Sequence, residues 1–321
     1  MRNMRFTQID IHKIDTADKR FQISPFYSIG PLIPSLKETG LLNPPVITKR
    51  ENRYIIVSGW KRLAACQKLS ISLIPVFVMQ EQSDREIFKI PIFENLSIRD
   101  YTQIEKAVVI RKLYDFGESP ENIIKKYMTL LKVPPHYDVM DAYMKIDKLN
   151  KKIKEIAHEK KWSFGTLELI TEFTENEIQA LYPFLKELSL NKQKQLVENI
   201  FEISKKRDVS VKNLLSSREY LKIQNQENLS SVQKAEKIHL LLRKKRNPTL
   251  SAWRESLVKL NDSLDLPEEM TIMPSKFFEE DMISIKLDLK NRDELKKNID
   301  KLKELSKKEE ISLLFDPLSY D

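Results

Sequence analysis

Cys66 is the only cysteine in 321 residues, so no internal disulfide can form. The four histidines, His12, His136, His158 and His239, are too scattered to give a structural zinc spacing. A reducing compartment and no zinc are the expectation. No apolar run approaches the ~20 residues needed to cross a bilayer; the longest, such as Tyr54–Val57 and Leu73–Met79, are strand-sized. Residues 1–25 alternate charged with apolar side chains and carry no secretory apolar segment, which predicts a cytoplasmic protein with no membrane partner. There are only five glycines, and no glycine-lysine-hydroxyl loop of the Walker type occurs among them. Internal repeats and low-complexity tracts are also missing.

What is present is a chain with 41% apolar residues, enough for several cores, and 32% charged residues split into 55 basic and 47 acidic. The net charge of +8 is unevenly placed. Residues 1–100 carry an excess of +5, residues 101–227 one of +3, and residues 228–321 none. That balance suits a polyanionic partner held by counterion release, and equally an ordinary lysine-rich surface.

The patterning divides the chain into a multidomain α/β plus α protein. Residues 1–100 read as a small α/β domain: an extended edge through Phe6, Ile9, Ile11 and Ile14, then a helix over Pro34–Thr39 stopped by Gly40. Strands Val46–Lys49 and Tyr54–Ser58 follow, joined by a turn at Glu51–Arg53, and helix Trp60–Leu69 and strand Ile74–Met79 complete it. Residues 101–223 read as an all-helical domain, with breaks expected at Pro134-Pro135, Trp162–Gly165 and Pro183. The polar run 224–231 reads as a linker, and 232–321 as a small mixed α/β module. In that module Val232–Arg246 and Ser251–Leu264 are expected helices, and Met282–Leu289, Asp293–Leu305 and Ile311–Phe315 an expected strand, helix and strand.

Two runs carry chemistry. In Tyr54–Cys66 a buried strand ends at Gly59 and passes directly into a helix, which leaves free backbone N–H groups and a positive dipole end beside Lys61 and Arg62. The arrangement is an anion site, or else a tight turn with two exposed basic residues. In Phe93–Ala107 the adjacent Glu94 and Asn95 supply a Mg²⁺ ligand and a carboxamide for a base or phosphate, with Arg99 and Asp100 following. The alternative is a helix end followed by an N-cap, Asp100 or Thr102, with Glu105 in the first turn.

Taken in this order and spacing, the two runs resemble the ParB family of partition proteins, whose N-terminal domain shares a fold with sulfiredoxin. Gly40–Val46, Gly59–Ala65 and Glu94–Ala107 look like three successive boxes of that domain, and the resemblance thins toward Leu215. It implies a ParB/sulfiredoxin-like domain that binds CTP with Mg²⁺. Gly40, Gly59, Lys61, Arg62, Glu94, Asn95 and Arg99 would bind nucleotide, with Glu94 on the metal. It further implies a nucleotide-gated DNA-binding homodimer acting in chromosome or plasmid partition or gene regulation, and at most a weak nucleoside triphosphatase. The chain departs from the family at Trp60, where an acidic residue stands, and at Ala64 and Ile98, where arginines stand. Two rival readings are a nucleotide-dependent phosphotransferase or hydrolase on the same fold, and an adaptor that has lost the ligand. Cys66 lies well inside its helix, unlike the catalytic cysteine of sulfiredoxin, and reads as a core residue.

A helix-turn-helix is expected over Asn122–Leu149, with a turn at Leu131–His136 longer than usual. Its second helix carries Asp138, Asp141 and Asp147, which repel phosphates. Contact with DNA is therefore expected through the sugar-phosphate backbone, from Lys148, Lys151, Lys152, Lys154, Lys160 and Lys161. A solvated face interleaved with Glu155 and Glu159 is the plainer reading of the same lysines.

Overall fold

The computed structural model describes residues 4–207, 209–248, 264, 266–267, 269–274, 283–289 and 291–307. Backbone contacts group the chain into two compact units that divide after Val197. Each is described by itself.

The first unit opens with a five-stranded mixed sheet of order β1-β5-β3-β4-β2. Its strands are β1 (Met4–Asp10), β2 (Ile14–Asp15), β3 (Val46–Arg50), β4 (Arg53–Ser58) and β5 (Leu73–Met79). A 3-10 turn, Ile11–Lys13, splits the expected edge segment: β1 runs antiparallel to β5, whereas β2 runs parallel to β4. Helices α1 (Leu32–Thr39) and α2 (Trp60–Lys68) cover the sheet, burying Leu36, Leu63 and Ala65 against Ile47, Ile56, Ile74 and Val76. Cys66 is fully buried in this core, and burial raises its thiol pKa, as suits a small apolar residue.

Helices α3 (Asp84–Leu96) and α4 (Gln103–Asp115) follow. Then come α5 (Pro120–Asn122), which widens into a π-helical segment Ile123–Met128, and α6 (Tyr137–Lys148). Helices α7 (Lys151–Glu159), α8 (Phe164–Ile170), α9 (Glu175–Glu187) and α10 (Leu190–Arg207) complete the run. The break expected at Trp162–Gly165 falls between α7 and α8, where the Ser163 side chain accepts from the Thr166 N–H and starts α8, so that Gly165 itself is helical. The break expected at Pro183 is corrected: Pro183 lies inside α9, which continues to Glu187. A proline there removes one backbone hydrogen bond, but burial of Ile178, Leu181, Phe184 and Leu185 keeps both sides of it on one packed face.

One contact fixes the loop before the site. From α4, Lys112 Nζ donates to the carbonyls of Lys19 at 2.6 Å, Arg20 at 2.8 Å and Gln22 at 2.9 Å. Burial pulls its pKa down to about 8. The unfolded chain therefore holds this proton to higher pH, so stability conferred by Lys112 should rise between about pH 8 and ~10.4. We expect the stability difference between wild type and Lys112→Met to move in favour of wild type across that window in urea titrations. A difference independent of pH would show that the ammonium is not desolvated.

In the second unit, α11 (Val211–Leu215), α12 (Arg218–Gln224) and α13 (Ser231–Arg246) follow the end of α10. Arg246 of α13 pairs with Glu202, at 2.8 and 2.5 Å, and Asn199, at 3.0 Å, both on the part of α10 after Val197 that belongs to this unit. Beyond it stands a two-stranded sheet, β6 (Met270–Pro274) against β7 (Ile283–Leu287), with a helix at Arg292–Leu305. Strand β6 was not expected from the sequence. It is what β7 pairs with, and Met270 and Ile272 pack with Leu264 and Leu305. The expected helix 251–264 (apart from Leu264) and the expected strand 311–315 lie outside the described residues.

Candidate functional site

At the end of β4 the chain must turn from strand to helix within one residue. Gly59 does this with φ of 96°, and a Cβ there would stand 2.9 Å from the Pro45 Cα, so only glycine fits. Having no side chain, Gly59 leaves the N-terminus of α2 uncapped. The end of α3 lies beside it. Gly59, Lys61, Arg62, Glu94, Asn95 and Arg99 all line one cavity of about 170 Å³, together with Ser24, Tyr27, Ser58, Trp60 and Ile98. Gly40 does not line it; it closes α1 with φ of 69°.

Within the cavity two of the three cations are already paired. Arg62 donates to Glu94 Oε1 at 3.1 Å and to the carbonyls of Asn43 at 2.7 Å and Pro44 at 3.4 Å, tying the loop after α1 to α3. Glu94 also accepts from the Ser58 hydroxyl. Arg99 grips Glu105 with both terminal nitrogens, at 2.8 and 2.7 Å, and also donates to Ser24 Oγ at 3.0 Å. Glu105 is 1% exposed. Burial alone would raise its pKa, but hydrogen bonds from Arg99, Ser24 and Thr102 outweigh that and hold the carboxyl below its ordinary value. Lys61 is exposed, and the Asn95 amide is turned back onto the Pro91 carbonyl at 2.7 Å. The Trp60 indole N–H is buried with no acceptor.

A cavity of this size is below the ~300 Å³ typical of small-molecule sites. The donor set nonetheless suits an anion: uncapped backbone N–H groups, three cations and a hydroxyl. For Mg²⁺, no group of three or more acidic, histidine or cysteine side chains occurs among the described residues. A single carboxylate such as Glu94 fits the way Mg²⁺ is held together with substrate phosphates.

Sequence reasoning missed Ser24, Tyr27 and Ser58. Ser58 directly precedes Gly59 in the strand and could have been included; Ser24 sits in an unassigned segment 81 residues from its partner Glu105. The role of Glu105 was read only in part. It is the N3 residue of the capping box with Thr102 that starts α4, and it is also the partner of Arg99.

Lys148 ends α6, Lys151, Lys152 and Lys154 lie in α7, and Lys160 and Lys161 follow it. Lys148, Lys151, Lys152, Lys160 and Lys161 are exposed. Lys154 is half-buried and donates to the Asp147 carbonyl at 2.7 Å, so its ammonium is already engaged. Helix α6 buries Met140, Ala142, Tyr143 and Ile146 and exposes Asp138 and Asp141. Residues 131–136 separate it from the preceding helix.

Residues 2–96 match the family described as ParB N-terminal domain. A probable chromosome-partitioning protein ParB of Borreliella burgdorferi is 26% identical over 249 residues, 73% of this chain and 91% of that protein. Other relatives, partition and nucleoid occlusion proteins, are spanned over only 26–46% of their length. Among solved structures, the C-terminally truncated partition protein ParB of Caulobacter crescentus complexed with CTP-gamma-S gives a TM-score of 0.25 at 20% identity, covering 56% of this chain and 97% of that one. The same protein complexed to its centromeric parS site gives 0.31 at 18%, covering 60% and 98%. No helix among the described residues is long and apolar enough to cross a membrane.

Proposed function

We propose that this ParB-like chain is a DNA-binding protein of chromosome or plasmid partition, or of gene regulation, gated by a nucleoside triphosphate. The observation that carries the reading is the convergence of Gly59, Lys61, Arg62, Glu94, Asn95 and Arg99 on one cavity from separate parts of the sequence. CTP is the nucleotide that the resemblance implies. Its phosphates would lie on the N-terminus of α2, against Lys61 and Arg62. Glu94 and the phosphates would share Mg²⁺, whose charge offsets that of the triphosphate. The chain's own residues do the positioning: α2 presents its backbone donors, and Arg62 is itself held by the carbonyls of Asn43 and Pro44, in the loop after α1. Gly40 contributes only as the hinge from which that loop departs. Residues 1–100 would form the nucleotide domain, 101–223 the DNA-binding domain with its helix-turn-helix, and 232–321, after the linker 224–231, the module for homodimer formation.

DNA contact falls to Lys148, Lys151, Lys152, Lys160 and Lys161, with Lys154 a weaker contributor because Asp147 holds it. The exposed Asp138 and Asp141 of α6 oppose close base readout, so binding should be backbone-dominated and weakly sequence-selective. Fluorescence anisotropy with labelled duplex DNA tests this. Affinity should fall roughly tenfold or more between ~50 and ~200 mM salt, and Lys151→Ala with Lys152→Ala should flatten the slope. A salt-independent affinity, or strong preference for one duplex, would overturn the backbone-dominated reading.

A further inference from the structure

The pairing of Arg99 has a cost for any anion that enters the cavity. Arg99 is the cavity cation with the more demanding partner: Glu105 takes both of its terminal nitrogens, at 2.8 and 2.7 Å, and is 1% exposed. Ser24, itself in the cavity wall, donates to Glu105 at 2.5 Å, and the Thr102 N–H donates to the other carboxylate oxygen at 2.9 Å. A phosphate that recruits Arg99 would leave Glu105 charged, buried and short of its strongest partner, which is unfavourable unless the start of α4 shifts or the carboxyl takes a proton.

We propose that Glu105 is a positioning residue that sets the affinity of the cavity for anions, by holding Arg99 in a latch that the ligand must open. The inference rests on reading the cavity as a phosphate-binding site. Opening the latch frees Ser24 in the cavity wall and loosens the capping box that starts α4, so occupancy of the cavity is linked to the first helix of the helical region.

Glu105→Gln separates charge from shape, because glutamine also serves at the third position of a capping box. Calorimetric titration of the full chain with inorganic tripolyphosphate and with CTP, each with Mg²⁺, should show E105Q binding at least about tenfold tighter than wild type, a gain of ~1.4 kcal/mol. A merely structural Glu105 would give equal or weaker binding, and that result overturns the latch. If wild type binds no nucleotide but E105Q binds tripolyphosphate, the latch stands and the nucleotide reading falls. Equal CTP binding by both variants removes the latch and leaves the nucleotide reading intact. No binding by either removes both. Should E105Q fail to fold, Glu105→Asp replaces it, since the shorter side chain cannot hold both terminal nitrogens of Arg99; tighter binding than wild type is expected, and equal or weaker binding overturns the proposal.

Discussion

Arg99→Ala should destabilise the chain by about 2–4 kcal/mol, discounted from the ~3–5 kcal/mol for breaking a buried pair because the guanidinium itself is 35% exposed. The cost comes from Glu105, which stays buried when its strongest partner is removed. The pH dependence distinguishes this from loss of packing. In wild type the Glu105 carboxyl is held below its ordinary value, so its contribution is present above the unfolded pKa of ~4.3 and lost as pH falls through the folded one. Without Arg99 the burial that now opposes that shift is left less opposed and the carboxyl moves up, so the variant regains stability on acidification. The gap between wild type and Arg99→Ala in urea unfolding should narrow from pH 7 toward pH 4, and Glu105→Gln should restore much of the loss in the double variant. A gap that is constant with pH would mean that Glu105 carries no charge in the folded state.

Gly59→Ala should cost about 2–4 kcal/mol and abolish anion binding together. At φ of 96° any other residue is strained, by roughly 1–2 kcal/mol, and the added methyl would meet the Pro45 backbone at 2.9 Å. Pro45 cannot yield cheaply, since its carbonyl accepts from the Phe77 N–H at 2.9 Å and the neighbouring Pro44 carbonyl is held by Arg62. The uncapped end of α2 would move with the turn. Thermal unfolding and phosphate titration of the same sample check this; a variant of wild-type stability would show that the turn has slack.

These two positions also mark how far the sequence could be read. Gly59 was legible, because a strand that ends at glycine and enters a helix with two basic residues has few geometries, and the elements around it fell where the alternation of apolar residues put them. Arg99 was legible as a cation near the site but not as a partner of Glu105. Pairing depends on which side chains the fold brings together, and Ser24 approaches Glu105 across 81 residues. Pro183 misled for a related reason: the local rule against proline in a helix is outweighed by burial on both sides of it. Strand β6 is short and ends in Pro274, and only its partner β7 makes it a strand.

The cavity residues were thus predictable in part in identity, Ser24, Tyr27 and Ser58 being missed and Gly40 lying outside, and not in state. Glu94, expected as a metal ligand, accepts from Arg62 and Ser58. Arg62, expected as a phosphate ligand, also closes the loop at Asn43–Pro44. Opening of these pairs is what separates a nucleotide-gated protein from an adaptor that kept the fold.

The measurement that bears most directly on that distinction is equilibrium titration of the full chain with each of the four nucleoside triphosphates and Mg²⁺, for wild type and Arg62→Ala. CTP should bind at one site per chain. Arg62→Ala should bind it roughly tenfold or more weakly, as expected for loss of a charge-assisted contact worth ~1.5–3 kcal/mol. Absence of binding by any triphosphate at millimolar concentration, or equal affinity in the two proteins, would contradict the assignment of this cavity.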